Sequence, residues 1–115
     1  MKKSLIAVSA GVLLAAGVGS AHAANAGKAA AQELGCTACH AATTKLVGPS
    51  YQAVAKRYKG DNAKILEIVK NNVKNGASGN WTDVTGGTPM PPQPQAVGKT
   101  EKLKAIADWI AGMAK

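Results

Sequence analysis

The chemically most distinctive segment of the sequence is Cys36-Thr37-Ala38-Cys39-His40. This C-x-x-C-H spacing is the attachment pattern of a c-type haem. On a helical turn, residues i and i+3 lie on one face, so both thiols can form thioethers to the two vinyl groups of one porphyrin. The imidazole of His40 can then bind the iron from one side. The segment therefore predicts one covalently bound haem c with a redox-active iron.

The second axial ligand of the iron must come from elsewhere in the chain. His40 is the only histidine after residue 23, which leaves Met90 and Met113 as candidates. Met113 falls on the apolar stripe of a predicted C-terminal helix, where a core role is expected. Met90 stands between prolines that fix φ and stiffen the loop. We therefore predict His40 and Met90 as axial ligands. A thioether ligand raises the reduction potential, and an iron with both axial positions occupied suits outer-sphere electron transfer.

Two further residues are candidates for contacts around the haem. The second ring nitrogen of His40 needs an acceptor, and the Pro49 carbonyl is the candidate. Gly48-Pro49 could instead simply begin a helix, and both roles are compatible. Trp81 could donate its indole N–H to a haem propionate, or it could be only a hydrophobic wall.

The N-terminal segment has the features of a secretory signal peptide. Lys2 and Lys3 precede an apolar run over 5–18, and Ala21-His22-Ala23 is a small-x-small cleavage site. A retained membrane anchor is the alternative, but the run is shorter than the roughly 20 residues that span a bilayer. We expect a cleaved signal peptide over 1–23, a single haem-binding domain over 24–115, a periplasmic location, and no stable membrane insertion after cleavage.

The charge of the chain favours an acidic partner. The formal net charge is +8, and removal of the signal peptide takes away two lysines. A basic small protein suggests an acidic partner surface or a membrane surface. If the chain carries a redox-active haem, we expect acidic redox partner proteins such as a respiratory reductase or oxidase. Nucleic acid is a poor fit, because the lysines are dispersed and no binding motif is present. The candidate docking residues are Lys45, Lys56, Arg57, Lys59 and Lys99.

The periodicity of apolar residues predicts an all-α domain of about four helices. They are expected over 26–34, over 50–59, from Asp61 or Asn62 to Gly76, and from a cap at Thr100 to the C-terminus. The last helix should face inward through Leu103, Ile106, Ala107, Ile110 and Met113. Residues 76–99 are rich in Gly and Pro and are predicted to form a long irregular loop with a functional role.

Four more segments accompany the C-x-x-C-H pattern in a fixed order, namely Val47-Gly48-Pro49-Ser50-Tyr51, Asn75-Gly76-Ala77-Ser78-Gly79-Asn80-Trp81, Pro89-Met90-Pro91-Pro92 and Ala107-Asp108-Trp109-Ile110. Together they resemble the small bacterial class I cytochromes c, the monohaem periplasmic carriers of the c-551/c-552 type. The resemblance implies helices wrapped round one covalent haem, His40 and Met90 as axial ligands, Pro49 as acceptor for the His40 ring, and soluble electron shuttling between respiratory complexes.

The sequence departs from this family at two places. The segment from Trp81 to Met90 is longer than is typical, which indicates a bulge near one haem edge. Gln93 stands where an Asn that contacts the Met ligand is common.

The leading interpretation is a non-enzymatic electron carrier, and other classes of function remain open. A c-type haem peroxidase or a ligand sensor would need a displaceable Met90. A thiol–disulfide oxidoreductase would use Cys36 and Cys39, although such motifs usually follow a buried strand. A structural zinc site lacks the usual four ligands. A subunit docked permanently to a larger oxidoreductase is the remaining alternative.

Overall fold

The computed structural model describes residues 25–115, so the predicted signal peptide lies outside the described residues. The described chain forms five α-helices, which are α1 over 25–33, α2 over Tyr51–Arg57, α3 over Asn62–Asn75, α4 over Thr82–Thr85 and α5 over Thr100–Ala111. Short 3₁₀ turns cover Cys36–Ala38 and Pro94–Ala96. Residues 25–115 contain no strand, only an isolated antiparallel bridge between Ala77 and Met90. The all-α prediction is confirmed.

The core forms where α5 packs against α1 and α3. It consists of small and aliphatic side chains with one buried tyrosine, and its members are Ala30, Ala31, Leu34, Tyr51, Ala55, Ile65, Val73, Ala96, Leu103, Ile106, Ala107 and Ile110. At Gly27 the backbone of α1 meets α5 so closely that an added Cβ would lie 2.5 Å from the Ala105 carbonyl oxygen. The crossing of these two helices therefore depends on a residue without a side chain.

Side-chain caps fix where α2 and α3 begin. The Ser50 hydroxyl accepts from the Ala53 amide at 3.0 Å, and the Asp61 carboxylate accepts from the Lys64 amide at 3.1 Å. Helix α2 ends at Arg57, two residues before the predicted end. Lys59 and Gly60 adopt left-handed conformations, with φ of 56° and 70°, and turn the chain into α3.

The segment 76–99 is more regular than the sequence predicts. A wholly irregular loop was expected, and this is wrong for α4 and for the bridge to Met90. The carbonyl of Trp81 accepts from the amides of Val84 and Thr85 at 2.9 and 2.8 Å, and Gly86 ends the turn with φ of 66°. The extra residues between Trp81 and Met90 thus fold into a single helical turn.

The last helix has the predicted inward face but a different start. Leu103, Ile106, Ala107 and Ile110 are buried, and Met113 packs half-buried against the core. The predicted cap at Thr100 is wrong, since Thr100 is the first helical residue and Lys99 precedes it without a side-chain hydrogen bond. None of the helices within 25–115 has the length and apolar character needed to cross a membrane.

Candidate functional site

One cleft collects every site residue that the sequence predicts. It encloses about 1220 Å³ of space, including the solvent at its open mouth. Its lining is mainly apolar and comes from segments that are far apart in the chain, as is usual for small-molecule and cofactor sites. Its walls include Cys36, Cys39, His40, Pro49, Trp81 and Met90. Residues that are up to 54 positions apart are therefore brought together round one space.

The imidazole of His40 has a fixed orientation and tautomer. Its Nδ1 lies 2.7 Å from the Pro49 carbonyl oxygen. A carbonyl oxygen can only accept a hydrogen bond, so Nδ1 carries the proton and Nε2 keeps a free lone pair. This is the arrangement of a metal-ligating histidine whose other nitrogen is held by the backbone. The contact that the sequence predicts between His40 and Pro49 is present.

Gly48 provides the space that the His40 ring occupies. A Cβ at Gly48 would lie 2.5 Å from His40 Cε1 and 2.9 Å from Nδ1. The Gly48 amide also donates to the Cys39 carbonyl at 2.9 Å, which closes the loop of residues 40–47. The ring is thus held between a backbone acceptor and a backbone without a side chain.

Cys36 and Cys39 lie on one short 3₁₀ turn that follows α1. Gly35, with φ of 80°, redirects the chain, and the amides of Cys39 and His40 both donate to the Cys36 carbonyl, at 3.3 and 3.1 Å. Burial raises the pKa of the Cys36 thiol, and a backbone hydrogen bond only partly opposes this shift. Reactive C-x-x-C thiols have lowered pKa values, so this environment does not favour thiol–disulfide exchange.

Met90 is held in the cleft wall by its own backbone. The Ala77 amide donates to the Met90 carbonyl at 3.0 Å, and the Met90 amide donates to the Ala77 carbonyl at 2.8 Å. Gly76, with φ of 74°, permits this approach, because a Cβ there would lie 2.7 Å from the Met90 carbonyl oxygen. Met113 packs against the core instead. Met90 therefore borders the cleft, and its ligation of an iron stays a prediction.

Trp81 lines the cleft, and a basic residue holds it there. The guanidinium carbon of Arg57 lies 3.4 Å from the centroid of the Trp81 ring, and Arg57 Nη1 donates to the Asn80 carbonyl at 2.5 Å. The sequence predicts Arg57 only as a surface charge for docking. No local pattern signals the contact, because α2 supplies the guanidinium and a distant loop supplies the indole.

Gln93 belongs to a chain of side-chain amides beside Met90. Its Nε2 donates to the Pro91 carbonyl at 2.9 Å, and its Oε1 accepts from Gln95 Nε2 at 3.0 Å. Gln95 Nε2 also donates to the Leu34 carbonyl at 2.9 Å, at the end of α1. The chain links the Met90 loop to the segment that precedes Cys36. A contact of Gln93 with the Met90 side chain stays a prediction.

Tyr51 lies in the cleft wall behind His40. Its ring centroid is 5.6 Å from that of His40 and 4.9 Å from that of Trp109. The residue is only 4 % exposed, and its hydroxyl has no hydrogen-bond partner among residues 25–115. Burial raises the pKa of the phenol well above its usual value. The sequence places Tyr51 on a helix stripe but gives no sign of the unpaired hydroxyl.

The residues of the cleft fit a covalently bound haem. Two thiols stand on one turn, and an imidazole nitrogen with a free lone pair follows them directly. A thioether on a separate, rigid loop borders the same space. Nitrogen and thioether sulfur are the axial donors of c-type cytochromes, and apolar walls limit the access of water to such a group.

Comparison with known proteins shows that the sequence is similar to cytochromes c. The sequence profile described as Cytochrome c matches residues 24–114. Cytochrome c-551 of Azotobacter vinelandii is 45 % identical over 76 residues, which cover 66 % of this chain and 83 % of that protein. Cytochrome c-552 of Hydrogenobacter thermophilus is 39 % identical over 98 residues, which cover 85 % of this chain and 92 % of that protein.

A solved structure supports the same likeness. The crystal structure of wild-type Nitrosomonas europaea cytochrome c552 superposes with a TM-score of 0.61 and 34 % sequence identity. The superposition covers 75 % of this chain and 98 % of that one.

Proposed function

The chain belongs to the cytochrome c family, and from this premise we propose that it is a periplasmic electron carrier whose haem iron is held by His40 and Met90. The family carries covalently attached haem c, and its members of this size are small bacterial class I cytochromes with a monohaem electron-transfer function. The single observation that carries the ligand assignment is the bond from His40 Nδ1 to the Pro49 carbonyl, which leaves Nε2 as a donor into the cleft that Met90 borders.

Each residue of the site has a separate task in this proposal. Cys36 and Cys39 form the two thioethers, and their common turn sets the spacing of the sulfur atoms. The Pro49 carbonyl keeps the His40 ring from rotating and fixes the proton on Nδ1. The haem supplies a one-electron iron couple. The backbone bridge at Ala77 holds the Met90 thioether in place, so electron transfer requires little rearrangement.

The rigidity of the Met90 loop favours a carrier over a peroxidase or ligand sensor. Both alternatives need the thioether to leave the iron, whereas two backbone hydrogen bonds to Ala77 and two flanking prolines restrain Met90. Carbon monoxide should therefore bind the ferrous protein weakly at neutral pH. Tight binding to the unmodified protein would support a sensor or peroxidase instead.

The visible spectrum in both redox states tests the ligand set directly. The purified protein should contain haem that acidified organic solvent does not extract, and its ferric form should show a thioether–iron charge-transfer band. A ferric haem spectrum without that band would remove Met90 from the proposal but leave His40. A colourless protein with two titratable thiols would contradict the proposal as a whole.

The excess of basic residues supports an acidic redox partner. Lys45, Lys56, Lys59 and Lys99 are all exposed. If they steer the encounter, the rate of electron transfer should fall steeply with added salt, because the Debye length shrinks to about 8 Å at physiological ionic strength. The rate can be measured by stopped-flow mixing with a reduced acidic cytochrome or copper protein. A rate that stays constant from low to moderate ionic strength would exclude steering.

The periplasmic location is supported by the N-terminal sequence alone. Expression of the full chain in a bacterium that matures c-type cytochromes tests it by cell fractionation and N-terminal sequencing. We expect haem-containing protein in the periplasmic fraction that begins at residue 24. A membrane-bound product that retains Lys2 and Lys3 would contradict the proposed cleavage.

A further inference from the structure

The side-chain amide of Gln95 connects the two segments that carry the proposed haem-binding residues. Its Nε2 donates to the Leu34 carbonyl at 2.9 Å and to Gln93 Oε1 at 3.0 Å. Leu34 precedes Cys36 by two residues, and Gln93 follows Met90 by three. These two bonds, named here the Gln95 link, use both N–H donors of the amide and join parts of the chain that are 61 positions apart.

The Met90 loop, residues 86–99, has its other long-range hydrogen bonds on the side of α3. Met90 bridges to Ala77, and the Gln93 amide donates to the Val73 carbonyl at 2.7 Å. Among the hydrogen bonds within residues 25–115, the Gln95 link alone joins the Met90 loop to residues 25–50. It is therefore the polar connection between this loop and the segment of Cys36, Cys39 and His40.

The Leu34 carbonyl is an acceptor that the end of α1 leaves without a backbone partner. The last carbonyls of a helix have no partner within the helix, and Gly35, with φ of 80°, turns the chain directly after Leu34. No backbone amide of residues 25–115 donates to this carbonyl. The Gln95 amide supplies the missing donor from a distant part of the chain, at a partly buried position.

We infer that Gln95 is a positioning residue, which holds the Met90 loop against the Cys36 turn and thereby opposes the departure of the Met90 thioether from the iron. The inference rests on the proposed function, in which the thiols fix the haem to the turn and Met90 approaches it from the separate loop. Movement of the loop away from the turn breaks the Gln95 link. The link therefore favours the ligated arrangement by the free energy of its hydrogen bonds.

Three variants separate this role from a general loss of stability. Gln95→Ala removes both bonds of the link. Gln95→Lys keeps N–H donors at the end of a side chain that is one bond longer. Asn62→Ala is the matched control, because Asn62 Nδ2 also donates a side-chain hydrogen bond, to Asp108 Oδ1 at 2.7 Å, but neither of these residues lines the cleft.

The first measurement is the rate at which cyanide binds to the haem-loaded ferric protein. Cyanide can bind only while Met90 is away from the iron, so the rate reports the population of the open loop. Gln95→Ala should bind cyanide about two- to tenfold faster, which converts to about 0.5–1.4 kcal/mol, the value of one hydrogen bond. Gln95→Lys and Asn62→Ala should keep the rate of the protein without substitutions. An unchanged rate in Gln95→Ala, the same increase in Gln95→Lys, or the same increase in Asn62→Ala would overturn the inference.

The second measurement is hydrogen exchange of the Met90 amide in the ferrous protein by NMR, which does not depend on the identity of the iron ligands. This amide donates to the Ala77 carbonyl at 2.8 Å, so it exchanges when the loop opens. Gln95→Ala should speed its exchange about two- to tenfold, and Asn62→Ala should not. Unchanged exchange in Gln95→Ala would refute the positioning role. Absence of the thioether–iron band from the protein without substitutions would instead refute the ligand assignment, and the exchange result would still decide whether Gln95 holds the loop.

Discussion

Substitution of Gly48 by alanine is a sharp test of how the His40 ring is positioned. The added Cβ would lie 2.5 Å from His40 Cε1, whereas ordinary contacts are 3.4–4 Å. The ring must therefore move by roughly 0.9 Å, and the backbone on its other side, at Pro49, restricts where it can go. The movement breaks the alignment of the 2.7 Å bond between His40 and Pro49.

The free energy of unfolding should fall by about 2–4 kcal/mol. Overpacking of a buried site costs about 1–3 kcal/mol, and a lost hydrogen bond costs about 0.5–1.5 kcal/mol. For a domain of this size each kcal/mol shifts the melting temperature by about 4–8 °C, so Gly48→Ala should melt at least about 8 °C lower. The reduction potential should change as well, because the displaced ring is the proposed iron ligand.

Two other glycines provide controls for this experiment. A Cβ at Gly27 would clash with Trp109 Cβ and lie 2.5 Å from the Ala105 carbonyl oxygen, and neither residue lines the cleft, so Gly27→Ala should lower the melting temperature and change the potential much less than Gly48→Ala. Gly112 has φ of −66° and its nearest neighbouring atom is 3.5 Å away. Gly112→Ala should be neutral or stabilising by up to about 1 kcal/mol. Thermal unfolding followed by circular dichroism and voltammetry measure both quantities. A Gly48→Ala variant with the same melting temperature and the same reduction potential as the protein without the substitution would refute the reasoning.

Three further substitutions test other contacts. Hydrogen bonds from Lys104 and Asn62 hold the pKa of Asp108 below its ordinary 3.8, so the stabilisation they give is present above that pH and is lost as the pH falls through the lowered pKa. The melting-temperature deficit of Asp108→Asn should accordingly shrink as the pH is lowered below about 3.8, and a deficit independent of pH would contradict this. Gln95→Ala should lower the free energy of unfolding by about 0.5–1.5 kcal/mol in urea titrations, since it removes the centre of the amide chain; no change would show that the chain contributes nothing. Tyr51→Phe should melt at the same temperature or higher, because it removes a buried hydroxyl without a partner, and a marked drop would reveal a partner for that hydroxyl.

Local sequence signals predict the main helices well. Three local signals predict α3 almost to the residue, namely the cap at Asp61, the apolar spacing of Ile65 and Val73, and the terminating Gly76. Each of them depends only on residues that are a few positions apart in the chain. The same holds for Cys36 and Cys39, whose shared turn follows from their spacing. The short helix α4 was missed because four residues cannot show helical periodicity, and the neighbouring glycines indicate a loop.

Long-range contacts explain what the sequence could not reveal at the site. The bond between His40 and Pro49 spans nine residues and was predicted from chemistry, since a ligating imidazole needs an acceptor. The stack of Arg57 on Trp81 joins two elements that only the fold brings together, and either residue alone has an ordinary surface role. The need for Gly48 beside His40 likewise depends on a distance that exists only in the folded chain.

The most direct test of the account compares the ferric visible spectra of Met90→Ala and Met113→Ala. Met90 borders the cleft, whereas Met113 packs against the core, so only the first substitution should affect the iron. The account predicts that Met90→Ala loses the thioether–iron charge-transfer band and that its ferrous form binds carbon monoxide tightly. Met113→Ala should keep the band, and its ferrous form should bind carbon monoxide weakly. Persistence of the band in Met90→Ala, or its loss in Met113→Ala, would contradict the central claim that His40 and Met90 hold the iron.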